Sequence, residues 1–275
     1  MQNLEYHPCF SQSAHSRYGR IHLPVARLCN LGCRYCERDA GGRSYHSYRP
    51  AVCDRLVSPG EVLELVEKFS RDQRLRVIGI AGPGEPLFNP ETFETLELVG
   101  SAFPGRMLCL STNGLLLSRH AETLNRLGVS TITVTINTLR PGTAVRIYRY
   151  AIVGQKLIRG PEAGEILVSR QIEGVRSAAA LGMGVKINTI LMPGVNQGEI
   201  GEIARLSKMA GARIQNITPL IPMGSMGDFP APTCQELSEA REVGSNHLDQ
   251  FRLCRQCRSD SVGIPGVGDG VLTRR

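Results

Sequence analysis

Residues 29–36 read Cys29-Asn30-Leu31-Gly32-Cys33-Arg34-Tyr35-Cys36, directly after a short apolar stretch, Leu23-Pro24-Val25-Ala26. Three thiols fall within eight residues at the spacing C-x3-C-x2-C. Soft sulfur ligands suit iron, and thiolates this close hold three irons of one cubane [4Fe–4S] cluster. No fourth cysteine lies in the octapeptide, which leaves the fourth iron open for a substrate. The competing reading is a structural zinc loop, which needs four closed ligands.

Outward from this loop, strand and helix patterns alternate. Ser58-Pro59-Gly60-Glu61 is a capping box with proline at the first helical position. Val62, Leu65, Val66 and Phe69 follow at helical spacing. Arg76–Ile80 reads as a strand, and Asn89-Pro90 opens a helix through Phe93, Leu96 and Val99. Met107–Leu110 is a strand, Ser118 to Gly128 a capped helix, and Thr131–Ile136 a strand. Residues 139–164 form a mixed connection rich in Arg, Tyr and Gly. A helix over Glu165–Leu181, a strand over Val185–Ile190, a helix over 197–210 and a strand over Ile214–Leu220 complete the series. Strand–helix alternation means a parallel sheet covered by helices. Six units are fewer than the eight of a closed barrel. The expected fold is therefore α/β, a partial (β/α)6 barrel with cluster-binding extensions at both ends. The expected division is 1–22 as N-terminal extension, 23–222 as barrel and 223–275 as a tail holding Cys254-Arg255-Gln256-Cys257.

The 275 residues are 41% hydrophobic and contain no run of about 18 apolar residues, so no membrane span is expected. The N-terminus lacks a charged and apolar leader, which points to a cytoplasmic chain. Nine cysteines in such a chain argue for metal binding or catalysis over disulfides. The net charge of +7 comes with no nucleic-acid-reading motif. It suits a solvated surface, or anionic clusters and an acidic ferredoxin or flavodoxin donor.

In parallel α/β barrels the site lies at the carboxyl ends of the strands. The unusual residues fall there. Strand 1 leads into the triad and strand 2 into Ala81-Gly82-Pro83-Gly84-Glu85-Pro86, two glycines and a carboxylate. Strand 3 ends in Ser111-Thr112-Asn113-Gly114, and Cys109 shares a strand face with Ser111. Thr133, Thr135 and Asn137 share a face of strand 4, suited to a ligand-lined lumen. Cys254 and Cys257 form a tight pair of metal-ligand type, to which Cys9 can add a third thiolate.

The pattern C-x3-C-x-aromatic-C resembles the signature of radical S-adenosylmethionine (AdoMet, SAM) enzymes. The resemblance implies that the open iron binds AdoMet through its amino and carboxylate groups. Electron transfer from the cluster then cleaves AdoMet to a 5′-deoxyadenosyl radical. It implies that Gly82, Gly84 and Glu85 hold the amino group, and that the segment with Ser111 and Asn113 contacts the ribose. Thr135 and Ile187 would lie against the adenosyl group, with Tyr35 on the adenine.

A narrower resemblance is to the NifB family of nitrogenase-cofactor synthases. It is carried by His7-Pro8-Cys9-Phe10-Ser11, by residues 19–26 (GRIHLPVA), by Ala81–Gly84 and by Leu110–Leu115. Lys186–Thr189, Pro193–Asn196, Pro219–Pro222 and Cys254–Asp260 continue it over almost the whole chain. The chain stops soon after the last motif, so the carrier-like domain fused to some members is expected to be absent. The resemblance implies two substrate [4Fe–4S] clusters beside the AdoMet cluster. Cys9, Cys254 and Cys257 match the ligands of one, His22 and Cys109 two ligands of the other. Family members carry a cysteine where this chain has Gly42. Cys53, in the same loop, is the expected substitute, the alternative being two protein ligands and an exogenous thiol. The implied reaction fuses the two clusters with a carbide and a sulfide into an [8Fe–9S–C] core. One AdoMet methylates a cluster sulfide, and the radical from a second abstracts hydrogen from that methyl group. Implied partners are AdoMet, the ferredoxin or flavodoxin donor, an iron–sulfur cluster donor, and a cofactor carrier or scaffold protein. No nucleic acid and no membrane enter. The rivals are another radical AdoMet maturase with auxiliary clusters and a non-catalytic iron–sulfur carrier. The carrier has no need of Gly82–Glu85.

Overall fold

The computed structural model describes residues 4–41 and 49–273. In chain order its elements begin with α1 (Gln12–His15), β1 (Gly19–His22), β2 (Leu31–Cys33), α2 (Pro59–Ser70) and β3 (Leu75–Ile80). Next come α3 (Pro90–Ala102), β4 (Met107–Thr112), α4 (Leu117–Arg126), β5 (Val129–Thr135), α5 (Pro141–Ile147), β6 (Tyr148–Val153) and β7 (Lys156–Ile158). The chain continues through α6 (Gly160–Ala180), β8 (Gly184–Leu191), α7 (Ile200–Met209), β9 (Ile214–Pro219), α8 (Cys234–Ser245), β10 (Ser261–Gly263) and β11 (Gly270–Val271).

The main sheet has the order β11-β10-β1-β3-β4-β5-β8-β9. From β1 to β9 every neighbouring pair is parallel. Six parallel strands in chain order, with helices between them, make the partial barrel that the alternation predicts. Three features differ from the expectation. The first strand begins at Gly19, not Leu23, and residues 23–26 follow it as buried chain that turns where the Val25 N–H donates to Leu23 O. The connection over 139–164 folds into α5 and the β6–β7 hairpin, which pairs with β2 in the cysteine loop. The tail returns to the sheet, where β10 pairs antiparallel with β1 and β11 with β10.

The two faces of the sheet follow from the two-residue period of a strand. Ile21, Ile78, Ile80, Leu108, Leu110, Ile132, Val134, Val185 and Ile187 point to the helices. They pack with Val62 and Val66 of α2, Leu96 and Val99 of α3, Leu124 of α4, Val175 of α6 and Ile203 of α7. Each such side chain contributes roughly 1.5–3 kcal/mol by leaving water. The opposite face carries Arg20, His22, Gly79, Cys109, Ser111, Thr133, Lys186, Asn188 and Asn216, and it lines the lumen. Parallel register sets His22 beside Gly79, Gly79 beside Cys109, and Ser111 beside Thr133, which faces Lys186.

Helix starts follow local chemistry. At α2, the Ser58 N–H and hydroxyl both donate to Glu61, at 2.9 and 2.8 Å. At α3, Pro90 takes the first position, but the Asn89 side chain makes no cap bond and is used elsewhere.

Candidate active site

The cysteine loop is tied down on three sides. At its start, the Gly84 N–H donates to Ala26 O at 2.7 Å and the Glu85 N–H to Leu28 O at 2.8 Å. Buried Asn89 accepts there from the N–H groups of Arg27 and Leu28, and donates to the carbonyls of Leu28 and Glu85. In the middle, β2 pairs with β6, and the Arg34 N–H donates to Ile147 O at 2.9 Å. At the exit, the Ser225 N–H donates to Arg34 O at 2.9 Å. Side chains of Cys29, Cys33 and Tyr35 pack against a second apolar cluster that includes Leu31, Leu115, Tyr148 and Met192.

Burial pushes the Cys29 thiol up to about 12, aided by the nearby Glu85 carboxylate. It pushes Cys33 well above the ordinary thiol range and raises Cys36, which Arg38, Arg49 and Arg149 pull back down. Thiols held this way ionise when a metal takes the place of the proton. Among the described residues no three His, Cys, Asp or Glu side chains converge on a single metal-ion position. A mononuclear zinc site needs such convergence, whereas a cubane cluster takes one thiolate per iron. Three half-buried thiols in one pinned loop therefore fit an iron–sulfur cluster.

Gly84 is fixed by the loop it touches. A Cβ there would stand 2.2 Å from Leu28 O and 2.8 Å from the Arg27 carbonyl carbon. Glu85 is 4% exposed, and its carboxylate is turned inward. It accepts from the Thr112 hydroxyl at 2.5 Å and from the N–H groups of Asn113 and Leu87 at 2.7 and 3.1 Å. Burial lifts its pKa to about 7 despite these three donors. The carboxylate thus joins the end of β3 to the end of β4. Asn113 donates to the Asn30 side chain at 2.8 Å and accepts from the Leu115 N–H. Gln171 of α6 donates to Asn113 O and Thr135 O, at 2.7 and 2.8 Å. Tyr35 accepts from Asn137, which also donates to Tyr148. The segments assigned to AdoMet are in this way one hydrogen-bonded rim around the triad. Ser111 and Thr135 are half-buried and face the lumen. Ile187 does not: it is fully buried in the helix-side core, and Asn188 is its lumen-facing neighbour. The two-residue period, applied to β8, corrects that assignment.

A second set of donors gathers in the same lumen. Burial pushes the Cys9 thiol up to about 12; Lys186 pulls it down, while Cys257, Cys109 and Cys254 push it further up. The N-terminal segment, the tail and β4 thus bring their thiols within electrostatic reach of one another. His22 is pushed down to about 4, chiefly by burial, so its imidazole is neutral. Its Nδ1–H donates to Arg258 O at 3.1 Å, which leaves the Nε2 lone pair as a metal-ligand position. That nitrogen lies over Gly79, where a Cβ would come within 3.2 Å of the His22 ring. Arg20, fully buried, donates to Cys257 Sγ at 3.0 Å and pairs with Asp269.

Cys53 adjoins the segment that holds His22: the Ser259 N–H donates to Val52 O, and His22 donates to Arg258 O. Cys53 is fully buried, and the groups that bear most on its thiol are Asp260, Arg258, Asp54 and Asp39. Gly42 lies outside the described residues. Sequence reasoning passed over Arg20, Asn89, Gln171 and Lys186. Arg20 and Lys186 were within reach, because the alternation read in β5 puts them on the lumen face of β1 and β8. Gln171 gave no signal, since its partners are 36 and 58 residues away in the chain, and Asn89 none beyond a helix cap, since its partners in the cysteine loop are 61 and 62 residues away.

Comparison with known proteins agrees with this arrangement. The family model of the radical SAM superfamily matches residues 23–207. The FeMo cofactor biosynthesis protein NifB of Methanocaldococcus infernus is 42% identical over 262 residues, 95% of this chain and 86% of that protein. The protein of the same name from Klebsiella pneumoniae is 42% identical over 270 residues, 94% of this chain and 57% of its own length. A radical SAM methyltransferase from Sphaerobacter thermophilus shares the fold with a TM-score of 0.61 at 17% identity, covering 85% of this chain and 65% of that one. Methylornithine synthase does so with a TM-score of 0.57 at 13% identity, covering 98% and 78%.

Proposed function

The chain belongs to the radical SAM superfamily and, within it, to the family of FeMo cofactor biosynthesis proteins NifB, and on that premise we propose that it fuses two [4Fe–4S] clusters with an AdoMet-derived carbide and a sulfide. The product is the [8Fe–9S–C] precursor of the nitrogenase cofactor. It is a radical SAM enzyme of FeMo-cofactor biosynthesis, and such enzymes use a [4Fe–4S] cluster with AdoMet. Cys29, Cys33 and Cys36 would hold that cluster, which would supply the electron for reductive cleavage of AdoMet.

The chain's own residues then have distinct tasks. The backbone at Gly82 and Gly84 and the rim at Ser111, Asn113 and Thr135 orient AdoMet beside the triad, with Tyr35 alongside. Glu85 acts through Thr112 and Asn113 and is a positioning residue. Cys9, Cys254 and Cys257 hold one substrate cluster, His22 and Cys109 the other. Cys53 is the third ligand of the second, the alternative being an exogenous thiol. Arg38 and Arg149, exposed and close enough to bear on Cys36, suit an acidic ferredoxin or flavodoxin. A cluster donor and a carrier for the product complete the partners.

The observation that carries the reading is that both ends of the chain bring thiol-bearing residues to the barrel lumen, where Lys186 of β8 donates to Cys9 O at 3.1 Å and Arg20 of β1 to Cys257 Sγ at 3.0 Å. An enzyme with the AdoMet cluster alone has no use for them. The test is reconstitution with iron and sulfide, then AdoMet and reductant, scored by activation of a cofactor-free nitrogenase. The Cys29→Ala/Cys33→Ala/Cys36→Ala chain should lose all 5′-deoxyadenosine formation while keeping the other clusters. Cleavage that persists in the triple variant overturns the role of the triad.

A further inference from the structure

We propose that Lys186 is the counter-charge shared by the two substrate clusters, placed where both are held so that two anions can be brought into contact. The inference rests on the functional reading above. Lys186 is 5% exposed, on the lumen face of β8. Its ammonium donates to Cys9 O at 3.1 Å and lies 5.3 Å and 5.6 Å from the ring centres of Phe10 and Phe251. No carboxylate pairs with it among the described residues. The other buried cations of this region are neutralised: Arg20 pairs with Asp269, and Arg258 with Asp54 and Asp260. Lys186 is the exception.

A buried charge without an opposite charge is costly to the fold. Its surroundings are donors of metal-ligand type. It bears on Cys9 in one proposed ligand set, on Cys109 and His22 in the other, and on His7 beside them. Thiols and neutral imidazoles offer nothing to balance an ammonium until thiolate-bound clusters arrive. With three thiolates the cluster at Cys9, Cys254 and Cys257 is anionic, and the cluster at His22 and Cys109 becomes anionic on reduction, so their mutual repulsion grows as they approach in a low-dielectric lumen. A cation in reach of both sets offsets that repulsion at the point where the clusters must join. Phe10 and Phe251 keep water from screening it.

The test uses the full chain with Cys29, Cys33 and Cys36 replaced by alanine, so that only substrate clusters are counted. Position 186 is compared as Lys, Lys186→Arg and Lys186→Met, by iron per chain and by cluster midpoint potential. The Lys and Arg chains should each bind about eight irons, as two cubanes require. The Met chain should bind half that or less, with a more negative potential, because a nearby cation favours the reduced, more anionic cluster. Cluster-free melting should show the Met chain folded, which separates lost binding from lost structure. Equal iron and equal potential with Lys and Met overturn the counter-charge. A Met chain that is unfolded when cluster-free overturns it as well, by making Lys186 structural. A Lys chain that binds no iron overturns the reading of the substrate sites, and this inference with it.

Discussion

Glu85 is a carboxylate whose family motif suggests a direct ligand and whose surroundings make it a joint. Its three donors come from the ends of two strands, and burial still holds its pKa near 7. The unfolded value is close to 4.5. Between those two values the native state binds more protons than the unfolded chain, so stability falls as pH rises. The contribution is complete below about 4.5 and lost as pH passes about 7. At ~1.4 kcal/mol per pKa unit it amounts to about 3 kcal/mol. Urea melts of the cluster-free protein between pH 4.5 and 8 should show this decline, and Glu85→Gln should flatten it. An equal slope in both proteins would mean that Glu85 ionisation is not linked to folding. Asn89 carries the same lesson: its sequence context reads as a helix cap, and its side chain instead fastens the cysteine loop.

The cysteine loop is an element without regular structure over most of its length, and its shape is set by what grips it. The grip at residues 84–89 depends on the absence of one side chain. A Cβ at Gly84 would meet the backbone of Arg27 and Leu28, which cannot move aside as a flexible side chain would. Overpacking of this kind costs typically ~1–3 kcal/mol. Gly84→Ala should therefore loosen the triad and the AdoMet rim together. The expected result is several-fold faster loss of iron from the triad and weaker AdoMet binding, while the melting temperature drops by a few degrees. Iron release at the parental rate would show that the loop does not need this close approach. The neighbouring strands obey a simpler rule. In β8 the two-residue period puts Ile187 with the helices and Lys186 and Asn188 in the lumen.

Across the whole molecule the two ends of the chain meet at the barrel. Cys9 comes from before β1, and Cys254 and Cys257 come from just before β10, which pairs with β1. Among the described residues, the hydrogen bonds that pin the triad loop come from residues 84–89, Asn113, Ile147, the β6 hairpin and Ser225, and none from residues 254–257. The two sites should therefore be separable. Cys254→Ala/Cys257→Ala is expected to retain reductive AdoMet cleavage within about two-fold and to yield no cofactor precursor. Product would be read by nitrogenase activation. Loss of cleavage with unchanged circular dichroism would contradict this separation.

Local pattern determined much of this protein. Capping boxes, helical spacing and alternating strands are short-range signals, and they were enough for six β/α units and the partial barrel. The C-x3-C-x2-C triad and the glycines at 82 and 84 were legible because their chemistry depends on residues adjacent in sequence. Tertiary structure alone decided which distant groups meet. The β6–β7 hairpin closes on β2, the tail strands join β1, and Lys186 and Arg20 meet Cys9 and Cys257 at the lumen. It also decided that Cys53 lies with Arg258 and Asp260, and that Lys186 has no acidic partner among the described residues. These outcomes depend on contacts between segments tens to hundreds of residues apart, and on which side of a strand each side chain leaves. A pairing of that kind has no signature in either segment taken alone.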